Sequence, residues 1–183
     1  MRKPGEVTDV GTIVSEVKAF DHKFFPVVER VVQTPSGEVR EPQLLWDRYG
    51  KQFVGAVVRD EQGQYVLVEE PKYGQMRRMV SVPTGGVKKG ETLLAAAQRE
   101  FLEETGYEAS DWEPLCEGPI VDFADKSDGG EHHFFTARHA RKVREPRSTE
   151  QKVILATSSE SRVLLRSGRI PAISMAALLL ATQ

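Results

Sequence analysis

An α/β chain fronted by a small antiparallel β-sheet is what three features of this 183-residue sequence predict. Residues 1–50 hold short β-branched and aromatic runs cut by turn signals, a capped helix former lies mid-chain between strand-like segments, and two apolar helical stretches close the chain. With 39% hydrophobic residues, one core of useful size is within reach. We divide the chain into a β-rich segment, 1–50, a candidate dimerisation layer, and a main domain, 51–183.

Segments 12–17, 24–32 and 39–46 read as strands, with Thr34-Pro35-Ser36-Gly37 as the hairpin between the last two. Segments 53–59 and 65–70 form a second pair about Asp60-Glu61-Gln62-Gly63, where Gly63 suits a positive φ. Residues 71–78, PKYGQMRR, are expected to be a polar loop carrying Lys72, Arg77 and Arg78. Those cations are placed to hold phosphate oxygens, or simply to face solvent. A short strand, 79–83, leads out of the loop.

The mid-chain helix belongs to residues 85–107, GGVKKGETLLAAAQREFLEETGY. Thr92 is a good N-cap, residues 93–104 contain neither Gly nor Pro, and Gly106 supplies a left-handed stop. Leu94, Ala97 and Phe101 fall on one stripe and are expected to face the core. Glu100, Glu103 and Glu104 share an adjoining stripe, about 5 to 6 Å apart at Cβ. Such crowded charges are relieved by a divalent cation, although a solvated acidic face is the ordinary alternative. The side-chain donors are hard oxygens, with no Cys or His at ligand spacing, so Mg²⁺ or Mn²⁺ is expected rather than Zn²⁺. Mg²⁺ keeps waters and bridges to substrate phosphates, which points to phosphate or diphosphate chemistry.

Beyond the helix, segments 118–124 and 131–140 read as strands around the loop Asp125-Lys126-Ser127-Asp128-Gly129-Gly130. Glu131 opens the second of them, placed to reach back toward a metal, while His132 and His133 point to opposite faces and form no ligand pair. Residues 138–147, RHARKVREPR, are the one basic cluster, a solvated loop or a contact for phosphates or RNA. Glu150 precedes a strand at 153–157. Helices at 160–165 and 172–181 follow, their apolar content suited to packing on a sheet.

A net charge of −2 gives no general attraction to DNA or to an anionic membrane. The N-terminal residues lack an apolar signal region, and the longest apolar run, MAALLLA, is too short to span a bilayer. One cysteine, Cys116, forms no internal disulfide and fits a reducing compartment, so a soluble, cytoplasmic protein is expected.

Gly85, Glu91, Arg99, Glu100, Phe101, Glu103, Glu104, Gly106 and the apolar Tyr107 together carry the full Nudix box, and the chain resembles Nudix hydrolases. That resemblance implies an α/β/α sandwich with a mixed sheet and cleavage of a nucleoside diphosphate linked to another group. LVEEPKYG, Val82-Pro83-Thr84-Gly85, GYEASDWEPL and LLRSGRIPAISMAALLLA are similar to the ADP-ribose pyrophosphatase-like, nucleoside diphosphate sugar hydrolase branch.

Carried over by position, Glu100 and Glu104 would be the main metal ligands, joined by the Thr84 backbone carbonyl, with Glu103 binding directly or through water. Arg99 would orient the glutamates, and Glu131 is a further metal candidate. Glu150 would be the general base, with Glu103 or Glu131 next in line. A base outside the helix is physically sensible, because a carboxylate held by cations is a poor proton acceptor. Lys72 stands where the branch often has Arg, and Ile120-Val121-Asp122-Phe123 replaces the usual Ser-Pro-Gly turn. Trp46 is a candidate to stack on a base. The resemblance implies a Mg²⁺-dependent homodimer acting on a small nucleotide sugar such as ADP-ribose or GDP-mannose. RNA 5′ ends or dinucleoside polyphosphates are the alternative substrates, and a non-catalytic nucleotide-sugar sensor is the alternative class.

Overall fold

The structure is a computed structural model that describes residues 3–21, 26–44, 52–121 and 130–182. Two compact units result, Met1–Lys51 with Val121–Glu131, and Gln52–Ile120 with His132–Gln183.

The first unit holds an antiparallel sheet of β1 (Val7–Thr8), β2 (Gly11–Phe20), β3 (Val27–Thr34) and β4 (Gly37–Leu44), in that order. Thr34 faces Gly37 across the expected hairpin, and the Thr34 hydroxyl donates to the Gly37 carbonyl at 2.8 Å. Ile13 and Val28 are buried, and Arg30 pairs with the buried carboxylate of Glu16 at 2.6 Å. Val17 and Phe20, by contrast, are 61% and 58% exposed. Strand β2 runs longer than the sequence suggested, because Lys18 and Phe20, beyond the expected end at 17, find partners in β3 that the local sequence does not announce. Residues 24, 25, 45 and 46 of the expected strands lie outside the described residues.

The second unit is built on an eight-stranded mixed sheet with the order β10-β11-β5-β6-β12. Its strands are β5 (Gln52–Asp60), β6 (Tyr65–Lys72), β7 (Arg77–Ser81), β8 (Thr84–Gly86), β9 (Tyr107–Pro114), β10 (Ile120–Val121), β11 (Glu131–Lys142) and β12 (Lys152–Ala156). Of these, β7 pairs with β6, β8 with β5 and β9 with β11. Helices α1 (Leu93–Thr105), α2 (Ser158–Arg166) and α3 (Ala172–Leu180) complete the unit.

Strand alternation sorts the core onto two faces. Val57, Tyr65 and Leu67 pack with Ala177 and Leu178 of α3, whereas Ala56, Val58 and Val66 pack with Phe101 of α1. Both faces are thus covered, which is the expected α/β/α sandwich and explains why β5 and β6 read as nearly continuous apolar runs. Gly63 turns the β5–β6 hairpin at φ 78°, where Asp60 Oδ1 accepts from the Gln64 amide at 2.8 Å.

The structure corrects several expectations. Leu94 is exposed, whereas Ala97 and Phe101 are buried as expected, joined on that face by Ala96 and Thr105. Leu94 stands in the first turn, while Ala96 and Ala97 pack with Val54 of β5. Segment 71–78 is the end of a β6–β7 hairpin, with Lys72 opposite Arg77 and Pro71 opposite Arg78, so only its tip turns. Strand β9 was missed because EASDWEP is polar and mostly exposed; it pairs with β11, where Asp111 and His139, at φ 54° and 56°, lie 3.2 Å apart. Segment 118–124 is reduced to Ile120–Val121, with 122–129 outside the described residues. Helix α2 starts earlier than expected, because Thr157 and Glu160 form a capping box.

Candidate active site

Helix α1 starts and stops where its sequence dictates. The Thr92 hydroxyl accepts from the Ala95 amide at 3.2 Å, and Gly106 closes the helix at φ 74°. A Cβ at Gly106 would meet the Arg144 carbonyl oxygen at 2.1 Å, so both conformation and space demand glycine. These limits fix the phase of the helix, and with it the direction of the glutamates.

Glu100, Glu103 and Glu104 line one cavity of ≈ 530 Å³ together with Arg147, Ser148, Thr149 and Gln151 of the 143–151 loop. A smaller cavity of ≈ 310 Å³, walled by Phe101, Tyr107 and Trp112, contains none of the three glutamates. Each carboxylate of the larger cavity is neutralised differently.

Glu100 is held by Arg99, whose Nη1 donates to Oε1 at 2.5 Å. Arg99 in turn grips Glu91 through Nε and Nη2 at 2.8 and 2.9 Å and donates to the Gly86 carbonyl at 3.0 Å. This bidentate pairing holds the Glu91 carboxyl down at about 2, well below its ordinary 4.5. The Glu100 carboxyl rests on Gly85, where an added Cβ would lie 2.0 Å from Glu100 Cδ. The glycine that opens the box is therefore the floor on which this carboxylate sits.

Glu103 accepts from Arg147 Nη1 at 3.0 Å and lies 3.8 Å from Arg99 Nη1. Glu104 has no cation at hydrogen-bonding distance among the described residues; its Oε2 accepts from the Thr84 amide at 3.1 Å. Burial, then the nearby charges of Glu70 and Glu100, push its carboxyl up to about 8. Among the described residues, no three His, Cys, Asp or Glu side chains converge into a ready-made metal cage. The donor set nonetheless fits a hard divalent ion: oxygen ligands only, one carboxylate seated against backbone, and room for water and substrate oxygens.

The remaining candidates are spread more widely. Glu150 sits between two cavity-wall residues, yet both of its carboxylate oxygens accept from the Tyr73 hydroxyl, at 3.0 and 3.2 Å. The same bond raises the Tyr73 phenol above its ordinary value. Arg78 Nη2 donates to the Glu150 carbonyl at 2.7 Å, so Arg78 holds the loop rather than standing free. Lys72 pairs with Glu70, whose other oxygen accepts from Gln151 Nε2 at 3.3 Å. Arg77 is exposed in β7. Glu131 begins β11 and belongs to the first unit. Trp46 lies outside the described residues.

Sequence reasoning missed Glu70, Tyr73 and the specific place of Arg147. Glu70 and Tyr73 lie in the LVEEPKYG stretch, which was read for its resemblance and for Lys72, with no role given to either residue. Arg147 was one of several arginines in the basic cluster, and only the fold of the 143–151 loop, with the Arg147 amide donating to the Glu103 carbonyl at 2.7 Å, selects it.

Residues 51–161, well over half of the chain, match the NUDIX domain. The chain belongs to the Nudix family, as its box led us to expect. Among curated relatives, it is 39% identical over 57 residues to Nudix hydrolase 5 of Arabidopsis thaliana, covering 31% of this chain and 19% of that protein. It is 27% identical over 96 residues to the ADP-ribose pyrophosphatase of Bacillus subtilis, covering 52% and 50%. To the methanol dehydrogenase activator of Bacillus methanolicus it is 29% identical over 84 residues, covering 46% and 44%. The chain thus spans half or less of the length of these relatives. A crystal structure described as an ADP compounds hydrolase shares the fold, with a TM-score of 0.81 and 18% identity over 97% of this chain and 94% of that one.

Proposed function

We propose that this chain is a divalent-metal-dependent hydrolase of nucleoside diphosphate sugars, releasing a nucleoside monophosphate and a sugar phosphate. The observation that carries the reading is the single cavity lined by three glutamates of one helix and by polar residues of the 143–151 loop. The likeness to an ADP-ribose pyrophosphatase supports the substrate class.

In the proposed reaction water adds to one phosphorus, the bridging P–O bond breaks, and the proton of the water passes to a carboxylate. Mg²⁺, with Mn²⁺ as substitute, would be held by Glu100, Glu104 and Glu103, with the Thr84 carbonyl and Glu131 as further candidates. The ion supplies charge neutralisation on the diphosphate and acidifies the attacking water. Arg99 keeps Glu100 aimed into the cavity, because Glu91 and the Gly86 carbonyl fix its guanidinium from the other side. We assign the base to Glu150, reached from its resting bond to Tyr73 by movement of the side chain. Lys72, Arg77 and Arg78 remain candidate substrate contacts, and Trp46 a candidate stacking residue.

The exposed Val17 and Phe20 support residues 1–50 as a dimerisation layer. No described helix is long and apolar enough to cross a membrane. We retain a cytoplasmic setting, without DNA or membrane partners, as part of the proposal.

The test is phosphate release in Mg²⁺, coupled to a phosphatase, from ADP-ribose, GDP-mannose, UDP-glucose, a diadenosine polyphosphate and a nucleoside triphosphate, with Glu104→Gln as control. Signal from the sugars that is lost in the control is expected. Signal only from the polyphosphates would move the assignment to polyphosphate or RNA-end substrates, and binding without turnover would move it to a sensor.

A further inference from the structure

Among the described residues lining the glutamate cavity there is one cation, Arg147, and the structure gives it two attachments of different kinds. Its backbone amide donates to the Glu103 carbonyl at 2.7 Å, which ties the 143–151 loop to the end of α1 whatever the side chain does. Among the described residues its guanidinium bonds to the Glu103 carboxylate alone, at 3.0 Å through Nη1, and it remains 72% exposed. One N–H of five is therefore committed, on an exposed side chain whose own backbone amide is hydrogen-bonded to α1. Beside it on the wall stand the hydroxyls of Ser148 and Thr149.

Glu103 is the carboxylate that both Arg99 and Arg147 approach, and it lies on the same cavity face as Glu100 and Glu104. A cation entering that face competes with Arg147 for Glu103. An exposed ion pair of this kind is weak, so the competition costs the cation little, and the freed guanidinium stays tethered at the mouth. A planar guanidinium with unspent donors is the side chain best suited to grip a phosphate through two oxygens.

Resting on the function proposed above, we infer that Arg147 is an anion-binding arm for the substrate diphosphate, held in reserve by Glu103 until a divalent cation takes that carboxylate. Metal binding and phosphate binding are thereby coupled through one residue pair. With a cation on Glu103, the Arg147 guanidinium would be released to hold a phosphate group. The arm acts on binding and positioning and takes no proton.

The experiment measures binding rather than turnover. A nonhydrolysable α,β-methylene nucleoside diphosphate is titrated calorimetrically into the full chain with and without Mg²⁺, and Mn²⁺ binding is followed separately by electron paramagnetic resonance. Arg147→Ala is expected to weaken nucleotide binding in Mg²⁺ by about 10- to 100-fold, the loss of a charged hydrogen-bond pair, while Mn²⁺ binds as tightly as before or slightly tighter. Arg147→Lys should recover only part of the loss.

Glu103→Gln should release the arm without metal and tighten metal-free nucleotide binding by roughly 2- to 5-fold. That gain must vanish when Arg147→Ala is added, because removing a negative charge alone would help any anion. Unchanged nucleotide binding in Arg147→Ala, equal loss of Mn²⁺ and nucleotide, or a gain that persists in the double variant would each overturn the inference. Arg147-dependent binding in a chain that cleaves no diphosphate sugar would leave the arm standing and remove only the proposed reaction.

Discussion

Replacing Glu91 with Gln tests whether the Arg99 bracket is as strong as its geometry implies. Glu91 receives two N–H groups from Arg99, at 2.8 and 2.9 Å, and the Lys88 amide at 3.0 Å. Its carboxyl is held at about 2 against an ordinary 4.5. At about 1.4 kcal/mol per tenfold change in proton affinity, that gap limits the charge-dependent stabilisation to about 3 kcal/mol. The side chains of Arg99 and Glu91 keep 19% and 16% exposure. Solvent screening then brings the working figure to about 2 kcal/mol. Because the folded value lies below the unfolded one, the stabilisation is complete above about 4.5 and is lost as pH falls from there through about 2. Urea unfolding in EDTA should therefore find Glu91→Gln about 2 kcal/mol less stable at pH 7, with less than half of that difference left at pH 3. A difference that stays constant with pH, or none at pH 7, would show that the bracket is not electrostatic.

Three further substitutions probe the site. Gly85→Ala drives a methyl into the Glu100 carboxyl, the movable end of its side chain, so the chain should fold with little loss while Mn²⁺ affinity falls about 10-fold; unaltered Mn²⁺ binding would remove Glu100 from the ligand set. Glu150→Gln should lower kcat by roughly 10² or more with Mn²⁺ binding retained, and near-normal turnover would shift the base to Glu103 or Glu131. Tyr73→Phe should leave stability within about 0.5 kcal/mol, since the hydroxyl is at the surface. It should change kcat only while Glu150 is present, and an equal effect in the Glu150→Gln background would show that the 3.0 Å bond has no part in turnover.

How much of this was readable beforehand depended on whether a residue's role is local. The α1 caps at Thr92 and Gly106, the common face of Glu100, Glu103 and Glu104, and the Gly63 turn follow from spacing within a few residues, and each appears where the pattern put it. Leu94 shares a stripe with Ala97 and Phe101, which are buried as the pattern put them, yet it is exposed in the first turn, because spacing gives the face of a helix and not how far along it the packing reaches. Strand β9 failed because an exposed polar strand draws its stability from its partner β11, which the local sequence does not announce. The contacts that complete the site join residues far apart in sequence: Tyr73 with Glu150, Arg147 with Glu103, Gln151 with Glu70. No periodicity encodes such pairs.

The metal-free site also makes a statement about protons. Of its three glutamates, Glu100 and Glu103 have arginine partners at hydrogen-bonding distance; Glu104 has none among the described residues, and burial with the charges of Glu70 and Glu100 outweighs the Thr84 amide and the charge of Lys72. Raised to about 8, it carries a proton at neutral pH where an ordinary carboxyl does not. The sign for folding is opposite to that of Glu91. Stability is fullest below about 4.5 and is lost as pH climbs toward about 8, because the unfolded chain sheds this proton first. A divalent cation needs the carboxylate, so it must expel the proton. Calorimetric titration of Mg²⁺ at pH 7, in two buffers of different ionisation enthalpy, should therefore report release of most of one proton, while Glu104→Gln releases none. The same buffer-independent heat for both proteins would mean that Glu104 is already ionised in the resting chain, and that the site meets its metal as three charges rather than two and a proton.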